Sequence, residues 1–253
     1  MATGIGVGIA GDTFQEKAGV GMGPDAFTNL YSVEFDGVDE SLDNASSVPG
    51  IGTGSFSINF WVYRLADSGA DEYIMFSDAT DYWEIIINGT NDRMRWLSTA
   101  AAWSDISTGT VAVGAWEMWT FAVDRPGGAG FSRWYRNAVL LDSKAINDST
   151  DFSAGAAGFH MGRKAAAYSF NGRLDECSIW NKELSAGEIT TLYNSGDPTD
   201  LKAEAFAANL INWWRMGDPS GTGSYPTIAD AQGSLNLTMT NMTSANINTN
   251  VPT

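Results

Sequence analysis

The feature that most constrains this chain is a strict two-residue alternation. Phe56, Ile58, Phe60 and Val62 are separated by Ser55, Ser57, Asn59 and Trp61, and Trp119, Phe121 and Val123 repeat the pattern. A period of two places the first set on one face of a strand and the second on the other, which no helix does. One wholly apolar face beside a mixed one is what a sheet packed on a second sheet requires. Similar short apolar and aromatic runs, bounded by Gly, Asn, Asp and Ser, predict strands at 31–36, 55–63, 72–77, 82–87, 93–97, 117–124, 131–136, 139–143, 158–162 and 173–180. Asn137-Ala138 joins two of them through a tight turn in which Asn tolerates a positive φ. One helix interrupts the series. Ser185 with Glu188 three residues on forms a capping box, Ile189, Leu192 and Tyr193 follow at helical spacing, and Asn194-Ser195-Gly196 ends it.

Charge narrows the function. Thirty Asp and Glu against fourteen Lys and Arg leave the chain at −16, so a groove that tracks phosphates by counterion release is excluded and no nucleic-acid partner is expected. The single His160 and single Cys177 rule out a Cys/His zinc site, and any chemistry falls to carboxylates or to a metal held by oxygen. His160, between Phe159 and Met161, reads as a satisfied structural histidine, and Cys177 as a small buried hydrophobe. No run of about 18 apolar residues occurs, so no membrane-spanning helix is expected. The first sixteen residues carry no Lys or Arg and are broken by glycines, which does not read as a signal peptide and implies assembly in a host cytoplasm. Residues 1–29 read as an extended arm, with Val7, Ile9 and Phe14 available to fill pockets on a partner by strand addition.

Four blocks carry a family resemblance: VEFDGVDE at 33–40, GSFSINFWV at 54–62, WEMWTFAVD at 116–124, and FNGRLDECSIWNKELSAGEITTLY at 170–193. Together they resemble the concanavalin A-like lectin/glucanase superfamily, in its laminin-G-like, pentraxin-like branch. The last block is the most specific, because an Asn-Gly turn, an Asp-bearing final strand and the capped helix follow in order. The resemblance covers 30–197 and implies an all-β, two-sheet antiparallel jelly-roll sandwich, often with a structural calcium and a glycan-binding face. Residues 210–218 (LINWWRMGD) and 228–241 (IADAQGSLNLTMTN) resemble the tails of phage-encoded lectin-like proteins. The segment 198–253 is too short for its own core, so its strands either complete the sandwich or pair with a neighbour.

These readings set the site expectations. Glu34-x-Asp36-x-x-Asp39 lies close to the catalytic strand of the superfamily's retaining glucanases, but Gly37 and Val38 interrupt it and it matches the domain-opening turn, so the chain is expected not to be an enzyme. Asp36, Asp39 and Asp175 are the calcium candidates, since hard cations need several oxygens and the family brings the opening turn near the final strand. Trp83, Trp96, Trp103, Trp134 and Tyr168, near strand ends or loops, are the candidate rings for stacking on sugars, whereas Trp61, Trp116, Trp119 and Trp180 sit inside apolar alternations and are assigned to the core. The function expected is a non-enzymatic, lectin-like protein of a phage virion surface, a decoration or fibre protein held on a capsid or other virion protein by its arm and binding glycans, with homo-oligomers compatible. The alternatives are a glucanase-type glycoside hydrolase and a purely structural cement protein.

Overall fold

The computed structural model describes residues 27–78, 81–98, 104–105, 109–153, 158–164 and 168–253. In chain order the strands are β1 (Ser32–Asp36), β2 (Ser41–Asn44), β3 (Phe56–Arg64), β4 (Glu72–Ser77), β5 (Trp83–Asn88), β6 (Arg93–Ser98), β7 (Ser104–Asp105), β8 (Trp116–Asp124), β9 (Ala129–Arg136), β10 (Val139–Asn147), β11 (Phe159–Met161) and β12 (Asn171–Trp180). Then come α1 (Ala186–Tyr193), β13 (Leu210–Trp214), β14 (Thr227–Ile228), β15 (Leu237–Thr240) and β16 (Ile247–Asn248). They form two antiparallel eight-stranded sheets. The first runs β10-β9-β8-β3-β12-β1-β16 with β13 paired to β12, and the second runs β14-β15-β2-β11-β4-β5-β6-β7. This is the jelly-roll sandwich that the resemblance implies.

The core between the sheets is aromatic. Rings stack in a line from Trp134 to Phe121 (4.6 Å), Trp96 (4.8 Å), Trp83 (5.2 Å), Phe159 (5.8 Å) and Trp214 (5.2 Å). Each such ring buries roughly 150–250 Å² of mostly apolar surface, so this line is a large part of what holds the sheets together. Asn137 and Ala138 take φ of 49° and 63° and close the β9–β10 hairpin as a turn with two positive φ values. Ser185 caps α1 through a complete capping box, and Asn194 ends it in the left-handed region at φ 41°.

The two sheets differ in what covers their outer faces. A second apolar cluster, Trp61, Met118, Tyr135, Trp180, Ile189, Leu192, Leu210 and Trp213 among others, seals the outside of the first sheet beneath α1 and the chain that follows it. That sheet is therefore buried on both faces, as the unbroken burial of β8 from Glu117 to Val123 shows. The C-terminal stretch supplies strands to both sheets, and Trp214, Met216, Leu237, Met239 and Ile247 enter the central core.

The sandwich takes hold of the chain earlier than residue 30. Phe27 stacks on Trp213 (6.3 Å), Thr28 accepts a hydrogen bond from Arg215, Asn29 Nδ2 donates to Asp175 Oδ2 (3.0 Å), and the Leu30 amide donates to Asp218 (2.9 Å). Residues 27–29, assigned to the arm from sequence, belong to the folded unit. Val7, Ile9 and Phe14 lie outside the described residues.

Candidate functional site

The outer face of the second sheet is closed along β4 and β5, where Tyr73, Phe76 and Ile86 form a small buried cluster, and it opens toward β2 and β11. Along it a register row crosses six strands: Thr238 on β15 opposes Asp43 on β2, which opposes His160 on β11, then Phe76 on β4, Glu84 on β5 and Leu97 on β6. Each of these side chains alternates with a core residue, for example Leu42 before Asp43, and Phe159 and Met161 around His160. Strand parity alone therefore aims the row away from the core. A cleft of 630 Å³ lies over it, lined by Ser41, Asp43, Phe76, His160, Thr240 and the two cations that follow β11, Arg163 and Lys164, with Asp78 at its rim.

The polar half of the cleft is organised around His160. Its Nδ1 lies 2.7 Å from Asp43 Oδ1, its Nε2 lies 3.5 Å from Asp78 Oδ2, and its ring stacks on Phe76 at 4.6 Å and 15°. Burial opposes the charged imidazole, but the two carboxylates outweigh it and raise the pKa above the ordinary histidine value. Asp43 is the mirror case. Burial would raise its pKa, and hydrogen bonds from His160, Thr240 and Ser41 hold it below the usual carboxylate range.

The aromatic half continues from Phe76 to Tyr73 (5.9 Å) and on to Tyr168 (5.5 Å), which is 42% exposed; Tyr82 is also exposed. Lys164 pairs with Glu84 and lies over the rings of Tyr73, Phe76 and Tyr82 at 5.2–5.9 Å. Phe76 and Tyr73 are themselves buried, so the apolar ring surface offered beside the hydroxyls and carboxylates of the cleft is that of Tyr168 and Tyr82.

The expected residues are distributed differently from the sequence reading. Trp83 and Trp96 are fully buried and Trp134 is 1% exposed, so all three belong to the line of core rings and none offers a face to a ligand. Parity was the missed signal for two of them: Trp83 shares a face with Ile85 and Ile87, and Trp96 with Met94. Trp103 lies outside the described residues. Of the candidate rings, Tyr168 reaches the open face. His160 is held by a hydrogen bond yet faces the cleft, which the alternation Phe159-His160-Met161 encodes.

The calcium candidates are not brought together. Asp36 opposes Asn171 while Val33 opposes Leu174, so Asp175 sits four residues along the strand from Asp36, about 13 Å at 3.3 Å per residue. Asp36 accepts from the Val38 amide, and Asp39 Oδ2 accepts from Asn241. Among the described residues no three His, Cys, Asp or Glu side chains gather as metal ligands. Glu34 likewise does not face the cleft: it is on the first sheet and pairs with Arg173 (2.6 Å).

Asp175 instead belongs to a buried acidic group at a bulge of β12, with Glu176 and Asp218. Arg215 pairs with Glu176 (3.2 Å) and lies 3.7 Å from Asp218, and the Trp213 indole donates to Glu176. Burial, reinforced by the Glu176 charge, lifts Asp175 well above the usual carboxylate range. Burial raises Glu176 to about 7 despite Arg215. Asn29 Oδ1 and Asp218 Oδ1 are buried there without a hydrogen-bond partner.

Fold and site together define a lectin-type sandwich, one sheet sealed and the other presenting a polar-aromatic face. Residues 36–190, more than half the chain, match the model of the concanavalin A-like lectin/glucanases superfamily, and the chain belongs to that superfamily. Among solved structures it is similar to a candidate carbohydrate-binding protein from Bacteroides ovatus ATCC 8483, at 17% identity and TM-score 0.65 over 89% of this chain; the match spans 62% of that protein. It is also similar to the native heptameric SAP-like pentraxin of Limulus polyphemus, at 13% identity and TM-score 0.51 over 65% of this chain and 82% of that one. At these identities the likeness is one of fold. No curated protein sequence matches the chain.

Proposed function

We propose that this protein is a non-enzymatic glycan-binding module whose ligand lies on the open face of the second sheet. The observation that carries the reading is the register row Asp43–His160–Phe76 beneath the 630 Å³ cleft. Its acceptors and donors suit sugar hydroxyls, and the exposed ring of Tyr168 suits a sugar's apolar face. Superfamily membership and the likeness to a candidate carbohydrate-binding protein support the same conclusion. Isothermal titration with oligosaccharides selected on a glycan array tests it. Asp43→Asn and Tyr168→Ala are each expected to weaken binding at least tenfold, and unchanged affinity in both rejects this face as the site.

Display of the module on a phage virion, held by its N-terminal segment, is supported by the sequence likeness of 210–241 to phage-encoded lectin-like tails. Deleting residues 2–26 is expected to abolish association with particles while leaving glycan binding intact. We also propose that the calcium implied by the resemblance is held by Asn29, Asp175 and Asp218, not by the turn at Asp36 and Asp39. Support comes from the two unpartnered buried oxygens and from a guanidinium, Arg215, that pairs with Glu176 and Asp218 but, among the described residues, leaves Asp175 without a cation. Bound there, the ion supplies positive charge to oxygens that water does not reach.

A further inference from the structure

The cleft contains a guanidinium that its own protein does not neutralise. Arg163 follows Gly162, which turns the chain at φ 85° with its backbone so close to Phe35 that a Cβ would sit 2.3 Å from that ring. The turn delivers Arg163 to the cleft wall. Its Nη1 donates to the Asp39 backbone carbonyl (2.9 Å), its Nε is buried without a partner, and among the described residues it forms no ion pair. The neighbouring charges are all matched: Lys164 pairs with Glu84, and His160 lies between Asp43 and Asp78.

Resting on the glycan-binding reading above, we infer that the preferred ligand carries a carboxylate, that is, a hexuronic acid unit, and that Arg163 is the residue that selects it. A planar guanidinium matches a carboxylate edge to edge, and a charge-assisted pair at a partly buried position is about twice as strong as a neutral hydrogen bond. With the carboxylate at Arg163, the hydroxyl edge of the ring meets Ser41, Asp43 and Thr240, all of which line the same cleft. The net charge of −16 does not forbid an anionic ligand, because at physiological ionic strength charges beyond about 8 Å are screened and the contact pair dominates.

The test is an array carrying galacturonate, glucuronate and mannuronate oligomers beside neutral oligomers, followed by titration of tetragalacturonate and its methyl ester, which share a backbone and differ in charge. The acid is expected to bind at least tenfold more tightly than the ester. Arg163→Gln is expected to erase that preference, and Arg163→Lys to restore part of it, with melting curves confirming that both variants fold. Equal binding of acid and ester, neutral ligands alone on the array, or a preference that survives Arg163→Gln overturns the inference and leaves the glycan reading standing. No binding of any glycan overturns both.

Discussion

Glu176 shows how much of the electrostatics of this protein rests on single positions. It is the extra residue of a β12 bulge, held at φ 43°, and its carboxyl is buried against Trp213 and Arg215. A pKa raised from 4.5 to about 7 means that the folded state holds a proton the unfolded chain releases earlier. The resulting stabilisation is complete below about pH 4.5 and is lost as pH rises through 7, with a slope of at most about 1.4 kcal/mol per pH unit for one group. His160, also raised, acts in the same direction, losing its contribution above its ordinary range. In chelator, the melting temperature is therefore expected to fall between pH 4.5 and 7, and Glu176→Gln to flatten the fall; an identical pH profile in the variant rejects this. The tryptophans give the complementary lesson. Being near a strand end suggested exposure for Trp83, Trp96 and Trp134; the parity of their neighbours places the first two in the core, whereas Trp134 has Ser132 and Arg136 on its own face and is fixed there by packing on Phe121 and Trp119. Trp96→Ala should cost about 3–5 kcal/mol in a denaturant titration, the ordinary penalty for emptying a ring from a packed core.

At the scale of elements, what was legible depended on how strongly each segment patterns itself. β3 and β8 are long and alternate cleanly, β12 is long although its bulge breaks the alternation, and α1 carries its cap and stop in local sequence; all four emerge within about two residues of their expected ends. Ser185→Ala removes one half of the capping box and is expected to cost about 1 kcal/mol in a thermal melt. β2, β14 and β16 escaped because they are two to four residues long and mostly polar, so their pairing partners decide their structure. Yet β2 carries Ser41 and Asp43, and the candidate site was illegible for the same reason that this strand was. His160 and Asp43 are 117 positions apart, and only the β11–β2 register joins them. A chain ending at residue 197 would lose β13–β16 and with them Trp214, Leu237 and Met239 from the core, and is expected to be insoluble when expressed.

The whole molecule is a sandwich with one closed side and one side that opens into a cleft beside β2 and β11, and its charge is arranged to match. The open side keeps His160 and Lys164 against carboxylates, and leaves Arg163 for a ligand. The closed side buries Asp175 beside Glu176 and Asp218, of which Arg215 pairs with the last two, an excess of negative charge that water cannot solvate and that is expensive unless protons or a cation offset it. These two ways of offsetting it predict opposite responses to pH. Protons leave as pH rises, so the apoprotein weakens; calcium requires the ionised carboxylates, so its stabilisation grows over the same range. At a calcium concentration 100 times its dissociation constant the native state gains about 2.7 kcal/mol. For a chain of this size that corresponds to a melting temperature higher by roughly 5–10 °C. The difference between melts in calcium and in chelator is expected to be large at pH 7.5, small at pH 5, and absent at both in Asp218→Asn. Melts that coincide at pH 7.5 in the unaltered protein would remove the cation and leave protonation to carry the buried acids alone.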